Sequence, residues 1–313
     1  YFILTDVNFT SSVEFQPRAQ IFINPGCMLK FYGAVTTPEF TSSRDMWKIT
    51  SGKEIYSTSP VTMDFDSYYS AVNFYGEEIN LKSGFVRYGS SGISTVNITN
   101  NSINNMVFIN CGTALIINAG NLNAGYTVCF NCNGDGIIYT SNVGENFSVA
   151  IEKCIIYNIS QKGISVEKAG NYNINNCYFN NIYYGIDIRY CNGNIEYNEF
   201  ELTYYYIFYY KRCFNNQIRY NNFYNSIMGI RPINNINNIN NNNFYGPAEY
   251  FIYILKSSTP YSIVSADVNA INNFWSVEEI SLYLADAEDN PRCPYYIIYL
   301  PKLLKPVREA GIN

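Results

Sequence analysis

A short apolar motif recurs along this chain about every 22 residues, and it restricts the possible folds more than any other feature. The motif reads Ile-x-x-Asn-x-Phe, and its last residue returns at steps of 22, 26, 23, 21, 23, 21 and 31 residues. A period of this length is typical of solenoids, in which each repeat packs only on its neighbours. The last residues of the successive motifs are Phe108, Phe130, Ile156, Phe179, Phe200, Phe223, Phe244 and Trp275.

The residues around these motifs indicate strands rather than helices. The repeat is rich in Ile, Tyr, Phe and Val, and Asn or Gly interrupts it every few residues. That pattern favours short strands joined by turns. Residues 185–188, Gly-Ile-Asp-Ile, alternate as a half-buried strand does. The repeat is too short for two helices, and Asn at this density opposes helix formation. We therefore predict an all-β solenoid of stacked coils.

The spacing within the motif predicts a bend in every coil. Its Ile and its Phe are five residues apart, yet both are expected in the core, and strict alternation would put them on opposite faces. The chain must turn between them, and we expect the fourth residue to take the left-handed conformation that Asn tolerates. Stacked in register, such Asn side chains would form a hydrogen-bonded ladder. The fourth residues are Cys154, Cys177, Asn198, Asn221, Asn242 and Asn273.

Over about residues 96–275, the Ile-x-x-Asn-x-Phe and Gly-Ile-x-Ile patterns resemble the pectate-lyase-like right-handed parallel β-helix superfamily. The Pro-Gly turn within 21–31 and the ending after Trp275 are similar to the first coil and the closing cap of that family. The resemblance implies the fold but no particular activity. Ser276-Val-Glu-Glu279 is a capping box that predicts a short helix. The expected organisation is an N-terminal strand and first-coil cap at 1–33, an insertion and early coils at 34–70, the parallel β-helix at 71–275, and a C-terminal capping helix and tail at 276–313.

Composition excludes several kinds of chemistry. The chain has no His, which excludes Ser–His and Cys–His nucleophiles and His-ligated zinc sites. Its net charge of -5 gives no basic surface for nucleic acid. No run approaches the roughly 18 apolar residues that a membrane span needs. Charged residues make up 14% and aromatic residues 17% of the chain, so its surface is weakly charged and poorly protected against self-association.

Two features favour an exported protein. The chain starts at Tyr1 rather than Met, which is typical of a mature form whose signal peptide has been removed. It also contains five Asn-x-Ser/Thr sequons for N-glycosylation. We therefore expect an extracellular or cell-surface glycoprotein. The sequon residues are Asn8, Asn97, Asn100, Asn146 and Asn158.

The coil at 195–216 carries three carboxylates followed by a run of tyrosines. Three carboxylates on one coil form a candidate calcium site, or an acid/base pair acting on a polysaccharide, and the rings form a candidate sugar-stacking platform. No other cofactor or metal is expected. In the alternative interpretation, Glu196 pairs with Arg219 on the next coil and the other carboxylates are solvated. The candidate carbohydrate-binding residues are Glu196, Glu199, Glu201, Tyr204 and Tyr205.

The chain has nine cysteines, so at least one thiol is unpaired within it. Two pairs lie on neighbouring coils at nearly equal offsets, and either pair is a candidate disulfide. These pairs are Cys191 with Cys213 and Cys111 with Cys132.

Three functional classes stay open, and one of them is a viral or cell-surface attachment spike, which is usually a trimer. Because the chain lacks His and a cluster of Asp residues, we expect an exported, non-catalytic structural protein that self-assembles as a surface-layer, filament or adhesive-fibre subunit. Its partner would then be itself. The alternative is a polysaccharide lyase or hydrolase, or a carbohydrate-binding β-helix. That alternative depends on the family resemblance and on the carboxylates of the coil at 195–216, and its partners would be glycans.

Overall fold

The computed structural model of the 313-residue chain is nearly all β. The chain divides into two compact units, Tyr1–Ser160 and Gln161–Asn313. The residues that the structure describes are 2–3, 7–11, 13–14, 20–23, 29–31, 35–36, 48–51, 63–64, 71–74, 78–82, 84–87, 91–141, 146–210, 213, 216–225, 227–231, 237–246, 249–254, 267–285 and 297–312.

Short strands make up both units. Those that begin in the first unit are β1 (Phe2–Ile3), β2 (Val7–Phe9), β3 (Val13–Glu14), β4 (Gln20–Ile23), β5 (Leu29–Phe31), β6 (Val35–Thr36), β7 (Lys48–Ser51), β8 (Met63–Asp64), β9 (Ala71–Phe74), β10 (Glu78–Leu81), β11 (Gly84–Arg87), β12 (Ser91–Val96), β13 (Asn100–Asn104), β14 (Met106–Ile109), β15 (Thr113–Asn118), β16 (Asn121–Gly125), β17 (Val128–Phe130), β18 (Ile137–Thr140), β19 (Ser148–Glu152) and β20 (Ile155–Glu167). Those of the second unit are β21 (Asn171–Asn175), β22 (Tyr178–Arg189), β23 (Asn192–Glu196), β24 (Glu199–Tyr210), β25 (Asn216–Arg219), β26 (Asn222–Tyr224), β27 (Met228–Arg231), β28 (Asn237–Asn240), β29 (Asn243–Tyr245), β30 (Tyr250–Tyr253), β31 (Val268–Asn269), β32 (Phe274–Trp275), β33 (Leu284–Ala285) and β34 (Ile297–Ile298).

In the first unit, parallel strands of successive coils stack on one another. Strand β13 pairs with β16, β14 with β17 and β15 with β18, so each of these coils contributes three strands. Residues one coil apart face each other, as Val107 and Val128 do. The early chain takes part in the same way, because β2 pairs in parallel with β5 and β1 with β4.

The second unit repeats this arrangement. One sheet stacks β21, β23, β25, β28, β31 and β34 in that order. In the other, β22 pairs with β24, and β24 is long enough to pair with both β26 and β27 of the next coil. The predicted parallel solenoid with a period near 22 residues is therefore confirmed.

The last residues of the motifs form a stacked column in the core of the second unit. Adjacent ring centroids are 4.6 Å apart for Phe179 and Phe200, 5.1 Å for Phe200 and Phe223, and 4.8 Å for Phe223 and Phe244. Trp275 closes the column at 4.4 Å from Phe244. Stacked aromatic pairs contribute about 0.5–1.5 kcal/mol beyond the burial of their area.

One member of the predicted column was wrong. Cys129, not Phe130, is the residue that faces Phe108 and Ile156 on the adjoining coils. Phe130 points outward and stacks on Tyr157, with ring centroids 5.2 Å apart. Because side chains of a strand alternate between its two faces, a shift of one residue moves a ring from the core to the surface.

The bend within each coil lies one residue earlier than the sequence predicted. The third motif residue, not the fourth, has the positive φ, with values from 49° at Asn105 to 59° at Tyr220. Asn at the fourth position turns inward instead and is buried. The left-handed residues of these bends include Lys153, Asn176, Tyr197, Tyr220, Asn241 and Asn272.

The four fourth-position Asn residues of the second unit form the predicted ladder. The Oδ1 atom of each accepts the backbone N–H of its counterpart one coil earlier, at 2.8–2.9 Å. The Nδ2 atom of Asn221 also donates to the carbonyls of Ile195 at 2.9 Å and Arg219 at 3.0 Å. The ladder therefore satisfies backbone groups that the bend removes from the sheets. Its members are Asn198, Asn221, Asn242 and Asn273.

A second column alternates between glycine and a large ring. Gly185, Tyr206, Gly229 and Phe251 occupy equivalent positions on four successive coils, because the Ile that follows Gly185, Tyr206 and Gly229 pairs in register with its counterpart. A Cβ atom at Gly185 would lie 2.5 Å from the carbonyl oxygen of Tyr206. Glycine thus lets the next coil approach closely, while the rings of Tyr206 and Phe251 pack against the Phe column.

The C-terminal end differs from the predicted capping helix. A single 3-10 turn spans Ile280–Tyr283, and Glu279 before it makes no capping bond through its side chain. The turn ends there because Leu284 enters strand β33 and pairs with Ile252. Residues 301–312, which we name the C-terminal segment, then run across the coils of the second unit.

We predict that Asn221→Ala lowers the free energy of unfolding by about 3 kcal/mol. The substitution leaves the buried N–H of Asn198 and carbonyl of Ile195 without a partner, and each such group costs about 1–3 kcal/mol. Urea unfolding followed by circular dichroism measures the change. Asn173→Ala, at an exposed Asn of the same unit, is the control and should stay within about 0.5 kcal/mol of the wild type. Equal losses in the two variants would show that the ladder adds no stability.

Candidate functional site

The strand that follows each bend presents two outward positions, one on either side of the buried motif residue. On β24 these positions are Glu199 and Glu201, which flank the buried Phe200. Glu196 lies before the bend, at the end of β23. The structure thus places two of the three predicted carboxylates on one strand face and the third on another strand. Among the described residues, no group of three Cys, Asp or Glu side chains is arranged to hold a metal ion.

Glu196 pairs with the next coil, as the alternative interpretation predicted. Its Oε1 atom accepts a hydrogen bond from Nε of Arg219 at 2.6 Å. This contact raises the pKa of the Arg219 guanidinium, against the opposing effect of burial. The carboxylate of Glu196 is therefore neutralised by the stacking of coils.

Glu201 is fixed by two donors from the preceding coil. Its Oε2 atom accepts the hydroxyl of Tyr178 at 2.6 Å and Nδ2 of Asn180 at 2.9 Å. Asn180 also donates to the Tyr178 hydroxyl at 2.7 Å, which closes the network. A carboxylate held this way is pre-oriented toward the surface, and its other oxygen is suited to accept a hydrogen bond from a hydroxyl-rich ligand.

Glu199 lies beside this network in a less polar setting. Burial raises the pKa of Glu199, and the nearby charge of Glu201 raises it further. Burial is the largest cause that raises the pKa of Tyr224 on the next coil to about 12, and the charges of Glu199 and Glu201 add to it. Tyr224 stacks on Tyr245, with ring centroids 4.7 Å apart. This face therefore combines two carboxylates with phenols that stay protonated.

Tyr204 and Tyr205 belong to a four-ring cluster farther along β24. Tyr204 stacks on Tyr183 at 4.8 Å, and Tyr205 stacks on Tyr184 at 5.1 Å. Within each coil the two rings meet edge to face. One face of each ring is thus used by its counterpart on the adjoining coil. Sugar stacking at this cluster stays a prediction.

The structure adds an ion cluster that the sequence did not single out as a site. Asp187 is 1% exposed, and its Oδ2 atom lies 2.7 Å from Nζ of Lys162 and 2.9 Å from a guanidinium nitrogen of Arg189. Two cations thus neutralise one buried carboxylate. The sequence showed Asp187 and Arg189 two residues apart, but the contact with Lys162 depends on the stacking of coils.

In this structure neither predicted cysteine pair is joined by a disulfide bond, and all seven described cysteines carry thiols. The Cys111 and Cys132 side chains are hydrogen-bonded, and this contact lowers the pKa of Cys132. Burial raises the pKa of Cys191 to about 12 and that of Cys213 to about 11. Disulfide exchange needs the thiolate, which these high values disfavour. The two disulfides stay predictions.

All five predicted glycosylation sites are exposed. Asn97 and Asn158 occupy bends with positive φ, at 56° and 54°. Several other Asn residues of the chain are buried, so this exposure fits the sequon interpretation, although occupancy stays a prediction. The exposed sequon residues are Asn8, Asn97, Asn100, Asn146 and Asn158.

An apolar surface that was not predicted from the sequence faces outward in the first unit. On β14, β17 and β20, the positions that flank the buried Phe108, Cys129 and Ile156 are all apolar. Ile155 is 45% exposed and Tyr157 is 37% exposed. A signal was present, because residues 88–134 contain no Asp, Glu, Lys or Arg. We name this surface the outer strip, and its residues are Val107, Ile109, Val128, Phe130, Ile155 and Tyr157.

The C-terminal segment covers the corresponding outward positions of the second unit. Nδ2 of Asn243 donates to the carbonyl of Val307 at 2.9 Å, and Oδ1 of Asn243 accepts the N–H of Val307 at 2.7 Å. Nδ2 of Asn222 donates to the carbonyl of Ala310 at 3.2 Å. Asn side chains on successive coils thus bind the backbone of the C-terminal segment.

Comparison with known proteins supports the fold. A family model described as a right-handed β-helix region matches residues 145–274. No curated protein matches the chain. In the part of the chain that the structure describes, no helix has the length and apolarity needed to cross a membrane.

We predict that Glu199→Gln makes the protein more stable at pH 7 than the wild type and equally stable at pH 4. An acid whose pKa is raised on folding contributes stability below its unfolded pKa, and this contribution is lost as pH rises through its folded pKa. The difference should be less than about 1 kcal/mol, because solvent screens a half-buried group. Urea unfolding at both pH values measures it, with the exposed Glu278→Gln as control. A larger effect from the control would contradict the assignment.

Proposed function

Residues 145–274 are a right-handed β-helix region, and we propose that this β-helix protein is an exported, non-catalytic structural protein that self-assembles. The observation that carries the proposal is the outer strip. It places six apolar side chains on the outside of three coils, and four of them lie within the uncharged stretch at 88–134. Exposed apolar surfaces of this kind are typical of protein–protein contacts.

Further apolar side chains support the proposal. Leu202 is 55% exposed on the second unit, and Tyr183 and Ile227 are also exposed. Tyr183 stacks on Tyr204. Tyr204 lies opposite Ile227 on the next coil, because the adjacent residues Tyr205 and Met228 pair in register. With few charges to oppose association, two such patches per chain favour contacts between copies.

The free energy gained by burying one patch is small compared with the cost of association, so one patch alone gives a weak contact. Full burial of one apolar side chain contributes about 1.5–3 kcal/mol, and several residues of the outer strip are already half-buried in the single chain. Association costs at least about 4 kcal/mol before any affinity is gained. Stable assembly therefore needs more than one contact per copy, as it has in a layer or filament.

Export is part of the proposal. The five exposed sequon residues supply accessible acceptors for glycans, and a surface with so few charges suits a structural role outside the cell. Peptide mass mapping of the secreted protein tests this point at Asn8, Asn97, Asn100, Asn146 and Asn158.

We predict that the purified full-length protein forms ordered oligomers or polymers as its concentration rises. Because the proposed contacts are apolar, assembly should persist at high sodium chloride and strengthen in sulfate. Light scattering and electron microscopy of negatively stained samples measure it. A protein that stays monomeric at every concentration and in sulfate would refute the proposal.

The network around Glu201 favours a second candidate function, which is polysaccharide binding. We predict in this case that an acidic or neutral polysaccharide retards the protein in affinity gel electrophoresis. Glu201→Gln should abolish the retardation, since it weakens the contacts to Tyr178 and Asn180, whereas Glu278→Gln should not. Release of oligosaccharide products would identify a lyase or hydrolase. No retardation by any polysaccharide of a broad panel would exclude this candidate.

A further inference from the structure

We propose that the C-terminal segment of one copy docks on the outer strip of a second copy. The inference rests on the proposed self-assembly and names the two surfaces that meet. It follows from how the segment is fastened, from what it exposes, and from the chemistry of the strip.

Backbone contacts fasten the C-terminal segment to its own chain. The N–H of Leu303 donates to the carbonyl of Asn273 at 2.9 Å, and the N–H of Gly311 donates to the carbonyl of Tyr220 at 2.8 Å. Between them, Asn243 binds both backbone groups of Val307. These attachments use main-chain groups, so they leave the apolar side chains of the segment available to other surfaces.

The segment presents apolar side chains to solvent. Leu304 is 88% exposed, and Leu300, just before the segment, and Ile312 are exposed as well. A single exposed Leu is ordinary, but here three lie on or beside one short segment whose backbone is held in place. The segment thus exposes apolar side chains from a backbone that is held in place.

The outer strip has the matching chemistry. The strip lies on the strand that follows the bend in each coil. In the second unit, this same part of the coil is the part that the C-terminal segment covers. There, Asn222 and Asn243 bind the segment through hydrogen bonds. In the strip, Val107, Val128 and Ile155 stand at these positions and offer only apolar contact. The strip therefore suits the apolar side chains of a segment rather than its backbone.

Charge favours the same pairing. The C-terminal segment carries Lys302, Lys305 and Arg308 against the single acid Glu309. Residues 1–160 carry twelve Asp and Glu against eight Lys and Arg. A basic, apolar segment is thus attracted to the acidic first unit, whose strip adds no repulsive charge.

The contact joins two different surfaces, so every pair of copies leaves one strip and one segment unused. A heterologous contact of this type propagates and builds polymers rather than stopping at a dimer. It differs in this respect from a strip that meets an identical strip, which would stop at two copies.

The test uses two blocked variants of the full-length protein, produced without glycans. Leu304→Asp blocks the segment, and Ile155→Asp blocks the strip. Each should weaken association at least about 100-fold, because the new carboxylate would be buried without a partner. Tyr190→Asp, at an exposed Tyr outside both surfaces and outside the patch around Leu202, is the matched control and should assemble like the wild type. Sedimentation velocity measures the assemblies, and thermal melting checks that each variant folds. Tyr157→Ser replaces Ile155→Asp if the latter does not fold.

The decisive sample is an equimolar mixture of the two blocked variants. It should form complexes of two chains and nothing larger, because the intact segment of one variant meets the intact strip of the other. If the wild type polymerises but the mixture stays monomeric, or if both blocked variants still polymerise, this inference is wrong while self-assembly stands. If the wild type does not associate at all, both proposals fail.

Discussion

Register between successive coils is the constraint on which the whole molecule depends. The nearest neighbour of each residue is the equivalent residue of the next coil. A side chain that packs well against another of its own type therefore stabilises the whole column. The Phe column and the Asn ladder apply this rule in the core, one through stacked rings and the other through buried amides. A shift of one residue would move the rings to the surface and the amides out of contact with the carbonyls they satisfy.

The same rule governs the surface, where it creates stripes rather than pockets of mixed chemistry. Glu196 meets Arg219, Tyr204 meets Tyr183, and Val107 meets Val128 because each pair shares a position in the coil. An acidic network and an apolar strip can therefore exist on one strand position in different coils. The outer strip and the carboxylate pair Glu199 and Glu201 lie on different coils. Each surface can therefore be mutated without changing the other.

The sequence predicted the period, the parallel coils and the ladder because these features repeat, and repetition makes a weak local signal visible. It misplaced Phe130 because two adjacent apolar residues, Cys129 and Phe130, left the register open. It also assigned the left-handed conformation to the fourth motif residue, since Asn is frequent at both the third and the fourth. The contact between Asn243 and Val307, 64 residues apart, lies outside any repeat, and no periodicity predicts it. The same holds for the C-terminal turn, whose length is set by the pairing of Leu284 with Ile252.

The alternation of Gly185, Tyr206, Gly229 and Phe251 has a consequence for how such a protein can grow. From Gly185 to Phe251 the repeating unit is a pair of coils, one without a side chain at this position and one with a large ring. Glycine beside glycine is tolerated, because Gly163 lies opposite Gly185 on the preceding coil. Deleting the coil of Gly229 alone, by contrast, would set the ring of Tyr206 against that of Phe251 and force the layers apart. Deleting the coils of Tyr206 and Gly229 together would leave Gly185 beside Phe251, so evolution and engineering alike should remove coils from this region in pairs.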